Sequence, residues 1–213
     1  MSTDDLGLQQ CLGELAEMAT RLQVKLSESD PPVMETDLAL KVFGTTMGAY
    51  LSHLRADPVH PAFLPSVGFY QMYGSPNPDT VYRTAAIDGS GDYLVLGHRG
   101  SVPDVSIMPF GMPTTSGLRT FPPFDFGELD VDDDGTFEVA LSRTRPRIGN
   151  WWPLDSGMRS LMLRTVSEVW GGHVEPRLAI VRLDVDPRRV RYPPETLRRR
   201  LHSMGKVIEG MIM

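Results

Sequence analysis

Gly74-Ser-Pro-Asn-Pro-Asp-Thr-Val-Tyr-Arg-Thr-Ala-Ala-Ile87 joins a proline-locked turn to a strand, and the change of period inside it decides the fold. Pro76 and Pro78 each hold φ near −65° and push Ser75 and Asn77 toward extended backbone, so the Asn77 and Asp79 side chains leave a rigid polar corner. From Val81 onward the apolar residues alternate with a period of two, which is the strand signal.

Upstream of the corner the period is helical. Leu8, Cys11, Leu12, Leu15, Met18, Ala19, Leu22 and Leu26 form one amphipathic helix ending before Asp30-Pro31-Pro32, and Leu38, Val42, Phe43, Tyr50, Leu51 and Leu54 mark a second. Downstream, Val81–Ile87, the turn Asp88-Gly89-Ser90-Gly91 and Tyr93–His98 read as a β-hairpin. Val102–Met108 continues the sheet, and Phe110–Pro123, rich in Gly, Pro and Thr, reads as a long loop of the kind that covers a site. Strands follow at Phe124–Leu129, Phe137–Leu141, Ser160–Val166 and Arg177–Asp184, before Pro193-Pro194 opens a last helix through Leu197, Leu201, Met204, Ile208 and Met211. Strands not interleaved with helices predict an antiparallel β-sandwich rather than a doubly wound sheet. The expected organisation is a helical segment over 1–66, a β-sandwich over 67–192, and a C-terminal helix over 193–213 packed on the same unit.

Composition excludes several classes. A net charge of −6 lacks the basic footprint of a nucleic-acid binder. One cysteine makes no internal disulfide, and Cys11 falls on an apolar helix side. The acidic start Met1-Ser-Thr-Asp-Asp-Leu6 has no export-signal pattern, and no apolar run spans a bilayer, so the expected location is cytoplasmic with no membrane partner.

A resemblance joins this reading. The run Pro76-Asn77-Pro78-Asp79-Thr80-Val81-Tyr82 with Ile87-Asp88, then Asp134-Gly-Thr-Phe-Glu-Val139, Gly149-Asn-Trp-Trp-Pro-Leu154, Leu163-Arg164 and Arg177-Leu-Ala-Ile-Val-Arg-Leu-Asp184, resembles the bacterial domain of unknown function 1214 and its relative 1254. The resemblance covers roughly Gly68 to Asp184 and implies a jelly-roll β-sandwich with attached helices. It implies no chemistry. Thr80-Val81-Tyr82-Arg83 and Gly171-Gly172-His173 depart from its commonest forms.

Each candidate residue carries two readings. Asn77 and Asp79 are either Asx-turn residues bonded to nearby N–H groups, or a ligand contact and a catalytic base beside Tyr82 and Arg83. Arg83 shares a face with Val81, Ala85 and Ile87, so it needs a carboxylate or a bound anion; Arg164, between Met162 and Val166, needs the same. Trp151 and Trp152 offer one ring to the core and one to a cavity or surface. The expected catalytic residues are therefore Asp79, Tyr82 and Arg164, with Asn77, Arg83, Trp151 and Trp152 binding ligand.

No metal and no cofactor are expected. Asp130-Val-Asp-Asp-Asp-Gly135 matches the first half of an EF-hand loop, but the twelfth position is Leu141 and a strand follows. The histidines lack metal spacing, Ser203-Met-Gly-Lys206 has no companion motif, and no P-loop or dinucleotide fingerprint occurs. Arg188, Arg189, Arg191, Arg198, Arg199 and Arg200 are read as a solvated face or a contact for an anionic partner. Two functions survive: binding or transforming a small organic molecule in a metal-free pocket of the sandwich, and a noncatalytic structural or oligomerisation module. The apolar end Val207–Met213 fits packing on the N-terminal helices or across a homodimer.

Overall fold

The computed structural model describes residues 35–66, 68, 76–114, 117–186, 188 and 192–212, with positions 13, 16, 17, 20, 21, 23 and 24. The first expected helix, with Cys11, lies largely outside them; its described positions are helical. Met213 and the side chains of Met211 and Ile212 lie outside too. The chain forms two compact units, residues 1–55, 66–75 and 191–213 in one and residues 56–65 and 76–190 in the other. Among the described residues no helix is long and apolar enough to cross a membrane.

In the helical unit, α1 (Glu35–Ala49) runs into a π-helical turn (Tyr50–Arg55), and α2 (Pro194–Ile212) packs against it. Ala49, Met204 and Ile208 are buried together, with Val42, Leu54 and Val207 around them. Arg200 donates to the Leu54 carbonyl at 3.4 Å, and the Ser203 hydroxyl meets His53 Nδ1 at 3.3 Å. Burial pulls the His53 imidazole below its ordinary value. A neutral His53 therefore contributes stability that is full above the unfolded value of about 6.5 and is lost as pH falls through the folded one. Acidification to about pH 5 is expected to lower the protection factors of α2 amides, exchange rates being corrected for their intrinsic pH dependence, more in the wild type than in His53→Gln. Equal responses would remove His53 as the cause.

The second unit is two sheets. Its strands are β1 (Leu64–Pro65), β2 (Thr80–Ala86), β3 (Tyr93–His98), β4 (Asp104–Thr114), β5 (Gly117–Thr120), β6 (Phe124–Asp125), β7 (Thr136–Ser142), β8 (Asn150–Pro153), β9 (Met158–Val166) and β10 (Arg177–Arg182). A six-stranded sheet has the order β1-β2-β9-β4-β5 with β6 also on β4, and a four-stranded sheet has β10-β3-β7-β8. Ala85, Val105, Ile107, Leu161 and Leu163 of the first sheet join Val95, Val139, Leu141, Trp152 and Ile180 of the second in one buried cluster. The ring of Trp152 lies flat on Phe124, centroids 5.1 Å apart, and edge-on to Phe126 at 5.3 Å, which ties the two sheets together.

Four expectations need correction. The Val81–His98 hairpin is absent: β2 pairs with β9, and β3 pairs with β7 and β10 in the other sheet. Turn residues mark a reversal without fixing its plane, and here the backbone follows β9 through Ile87 N–H to Arg159 and Gly89 N–H to Met158 before crossing. A Cβ at Gly89 would strike the Asp155 carbonyl oxygen, so glycine is required for that close approach. The sandwich is not wholly antiparallel, since β7 and β8 run parallel. Phe110–Pro123 is not a covering loop; it holds the end of β4 and all of β5, with Pro113 opposite Leu118 at a sheet edge where a missing N–H is tolerated. Finally, Phe124–Leu129 is a short strand followed by a 3₁₀ turn (Phe126–Glu128) capped by the Asp125 carboxylate.

Candidate functional site

Register decides what each candidate side chain can reach. Tyr82 pairs with Arg164, Arg83 with Leu163 and Ala85 with Leu161, and residues directly opposite share a face. Leu161 and Leu163 are buried between the sheets, so Arg83 lies on the inner face and Tyr82 and Arg164 on the outer face of the six-stranded sheet. The Arg164 guanidinium lies 5.8 Å from the Tyr82 ring centroid. Ser106 continues the row on β4 and Asp125 ends it on β6.

The proline corner is built from backbone bonds. Asn77 Oδ1 accepts from Asp79 N–H at 3.0 Å, the Tyr82 hydroxyl accepts from Asn77 N–H at 3.2 Å, and the Asp79 carbonyl accepts from Ser167 N–H at 2.9 Å. Pro76 and Pro78 shape the backbone so that these groups meet. The corner therefore anchors the start of β2, and the exposed Asp79 carboxylate takes no part in those bonds.

The single lining expected from Asp79, Tyr82, Arg83, Trp151, Trp152 and Arg164 is not formed. Trp152 is in the core. Trp151 faces out from the other sheet beside Ala140, its indole N–H on the Ser142 carbonyl and hydroxyl, both at 3.2 Å, with Arg145 over its ring at 5.7 Å. What the fold does assemble is the outer face of the six-stranded sheet. Thr80, Tyr82 and Thr84 project there from β2, Met162, Arg164 and Val166 from β9, and Ser106 and Met108 from β4. Tyr82, Thr84, Met162, Arg164, Ser106 and Met108 are half-buried.

Two features set the polar residues of this sheet apart. Among the described residues Arg164, on this face, makes no ion pair, and neither does Arg83 on the inner face. The hydroxyl oxygens of Thr80 and Thr84 are buried without a hydrogen-bond partner, and they flank Tyr82 on β2. A buried hydroxyl without a partner is costly, and both oxygens are closed from solvent. Alternation in the sequence places Thr80 and Thr84 on the Tyr82 face, but their lack of partners depends on tertiary packing.

A separate polar network went unforeseen. Arg182, on the inner face of β10, bonds Asp184 at 2.8 and 3.0 Å, approaches Asp88 at 3.5 Å, and lies over the Tyr93 ring at 5.6 Å. The bond to Asp184 holds the Arg182 guanidinium charged and pulls the Asp184 carboxyl below its ordinary value, while burial pushes the Tyr93 phenol up. That phenol accepts from Asp88 N–H and donates to the Pro58 carbonyl, each at 2.9 Å. A cleft of about 360 Å³ opens beside the network between Asp92, Ser142, Arg143 and Asp184.

The acidic segment is a tight turn. Asp132 N–H bonds the Thr136 carbonyl at 2.8 Å, Asp134 accepts from both Thr136 N–H and its hydroxyl, and Gly135 takes φ 85°. No group of acidic, histidine or cysteine residues suited to a metal occurs among the described residues.

No family model matches this chain, and no curated protein matches it. Among solved structures, an uncharacterised protein from Burkholderia cenocepacia superposes with a TM-score of 0.85 at 24% identity over 99% of this chain. The chain spans 60% of that protein's length. A Vibrio parahaemolyticus protein matches with a TM-score of 0.36 at 12% identity, covering 74% of this chain and 41% of that one. The Burkholderia likeness supports the fold.

Proposed function

We propose that this protein binds a small organic anion on the outer face of the six-stranded sheet, with Arg164 as the charge that receives it. The observation that carries the reading is Arg164 half-buried beside Tyr82, with no ion pair among the described residues. A guanidinium withdrawn from water in this way gains most from a carboxylate or phosphate that takes two of its N–H groups. Binding, rather than catalysis, is the reading favoured, because Asn77 Oδ1 and the Tyr82 hydroxyl oxygen each accept from the corner backbone and so have a structural task.

The test is Arg164→Met, titrated calorimetrically against a panel of small carboxylates and phosphomonoesters. Loss of a charge-assisted hydrogen-bond pair, about 1.5–3 kcal/mol, corresponds to a drop in affinity on the order of tenfold to a hundredfold. Thermal stability of the free variant is expected to stay close to wild type, since no ion pair is broken. Unchanged affinity would defeat the reading, and a large loss of stability would make Arg164 a structural residue instead.

The corner's own bonds favour a second reading, a noncatalytic structural module in which Tyr82 and Arg164 stiffen the sheet. Under it no anion shifts the melting temperature. Two sheets sharing a core also support a jelly-roll-like winding, and the ordered motifs from Pro76 to Asp184 support kinship with the domains of unknown function 1214 and 1254. With Met204 and Ile208 buried near Ala49, a homodimer through α2 would rely on Leu197, 41% exposed, and the tail beyond it.

A further inference from the structure

Resting on the anion reading above, we infer that the ligand is a monocarboxylate with an apolar tail, lying along the strands of the outer face. The face is banded. Tyr82, Arg164 and Ser106 form a polar row, and the next row, about 6.7 Å along the strands, holds Leu64, Thr84, Met162 and Met108. Ala86, Ser160 and Phe110 follow in the same direction. In the opposite direction lie Thr80, Val166 and Asp104, and Asp125 stands beside Ser106.

This order of charges selects the ligand. A second negative charge has no favourable place: toward one end it meets Asp104 or Asp125, and toward the other it is pressed onto methionines. A phosphomonoester, at about −1.5 to −2 charge, suffers from the same carboxylates. A single carboxylate fits. Its oxygens offer enough lone pairs to take the Arg164 N–H groups and also to accept from the Thr84 hydroxyl, which is closed from solvent in the free protein and reaches the ligand by turning about χ1. An apolar tail then runs over Met162 and Met108, whose flexible thioethers adapt to its shape.

The experiment is a calorimetric series of acetate, butyrate, hexanoate and octanoate, with adipate, hexanol and butyl phosphate as comparisons, on the full chain and on Thr84→Val. Affinity is expected to rise about fourfold per methylene, the fold-change for burying one CH₂, until the tail covers about 7 Å of face. Adipate and butyl phosphate should bind more weakly than hexanoate. Thr84→Val should weaken hexanoate while melting no lower than wild type. If adipate or butyl phosphate equals hexanoate in an Arg164-dependent manner, the monocarboxylate class is wrong and the anion site stands. If hexanol equals hexanoate, or nothing binds with dependence on Arg164, both readings fall. An affinity that does not change with tail length rejects the apolar row, and hexanoate affinity unmoved by Thr84→Val rejects the hydroxyl's part.

Discussion

Trp152→Ala is expected to cost about 3–5 kcal/mol of unfolding free energy, the range for removing a large aromatic side chain from a packed core. The residue is 4% exposed and meets two phenylalanines, Phe124 from the opposite sheet and Phe126 from the turn beyond it. Deleting it opens a cavity where the sheets are joined, and neighbours fixed in strands collapse into it only partly. Trp151→Ala is the control, since it removes a half-buried ring on the solvent side. Urea unfolding of both variants should separate them by several-fold in ΔΔG. Equal costs would mean that Trp152 is not the link between the sheets.

Arg182→Met should cost about 2–4 kcal/mol, below the top of the range for breaking a buried pair because Asp184 and Asp88 keep 31% and 43% of their side-chain surface in water. The arginine itself is 10% exposed, and its loss leaves two carboxylates beside the buried Tyr93 without their cation. The sign of the pH dependence follows from Asp184. Its folded value lies below the unfolded value of about 3.9, so the stability it contributes is present above the unfolded value and is lost as pH falls through the folded one. The gap between wild type and Arg182→Met is therefore expected to narrow in acid, measured as midpoint denaturant concentration across pH. A gap that holds constant below the carboxylate range would assign the effect to lost packing.

Local chemistry in the sequence reached as far as the strands and stopped at their pairing. Alternation at Val81–Ile87, Phe137–Leu141 and Ser160–Val166 located β2, β7 and β9, because period two reports which side chains point inward. It says nothing about neighbours. The turn at Asp88–Gly91 gives the same signal for a hairpin as for a crossing between sheets, and the difference lies in β9, far along the chain. Asn150–Pro153 was too short to declare itself a strand, and its parallel partner could not be inferred from spacing. At the site, apolar company singled out Arg83 and Arg164 as needing a carboxylate or an anion, and among the described residues neither has an acidic partner. Putting them on opposite faces with Trp151 on another sheet required the register. Arg182 stayed unnoticed because its partner Asp184 lies beyond the strand's end and Asp88 comes from the crossing turn.

Strand β9 sits between β2 and β4, yet it is the last of the three to be made. A ribosome adds about 5–20 residues per second, so β2 and β4 wait for seconds with open hydrogen-bonding edges until residue 166 clears the exit. Neither can be completed by the other. Nascent chains cut short before β9 should therefore be captured by chaperones or aggregate, whereas chains released just after it gain the strand that closes the sheet, which makes the birth of β9 the commitment point in this protein's biogenesis.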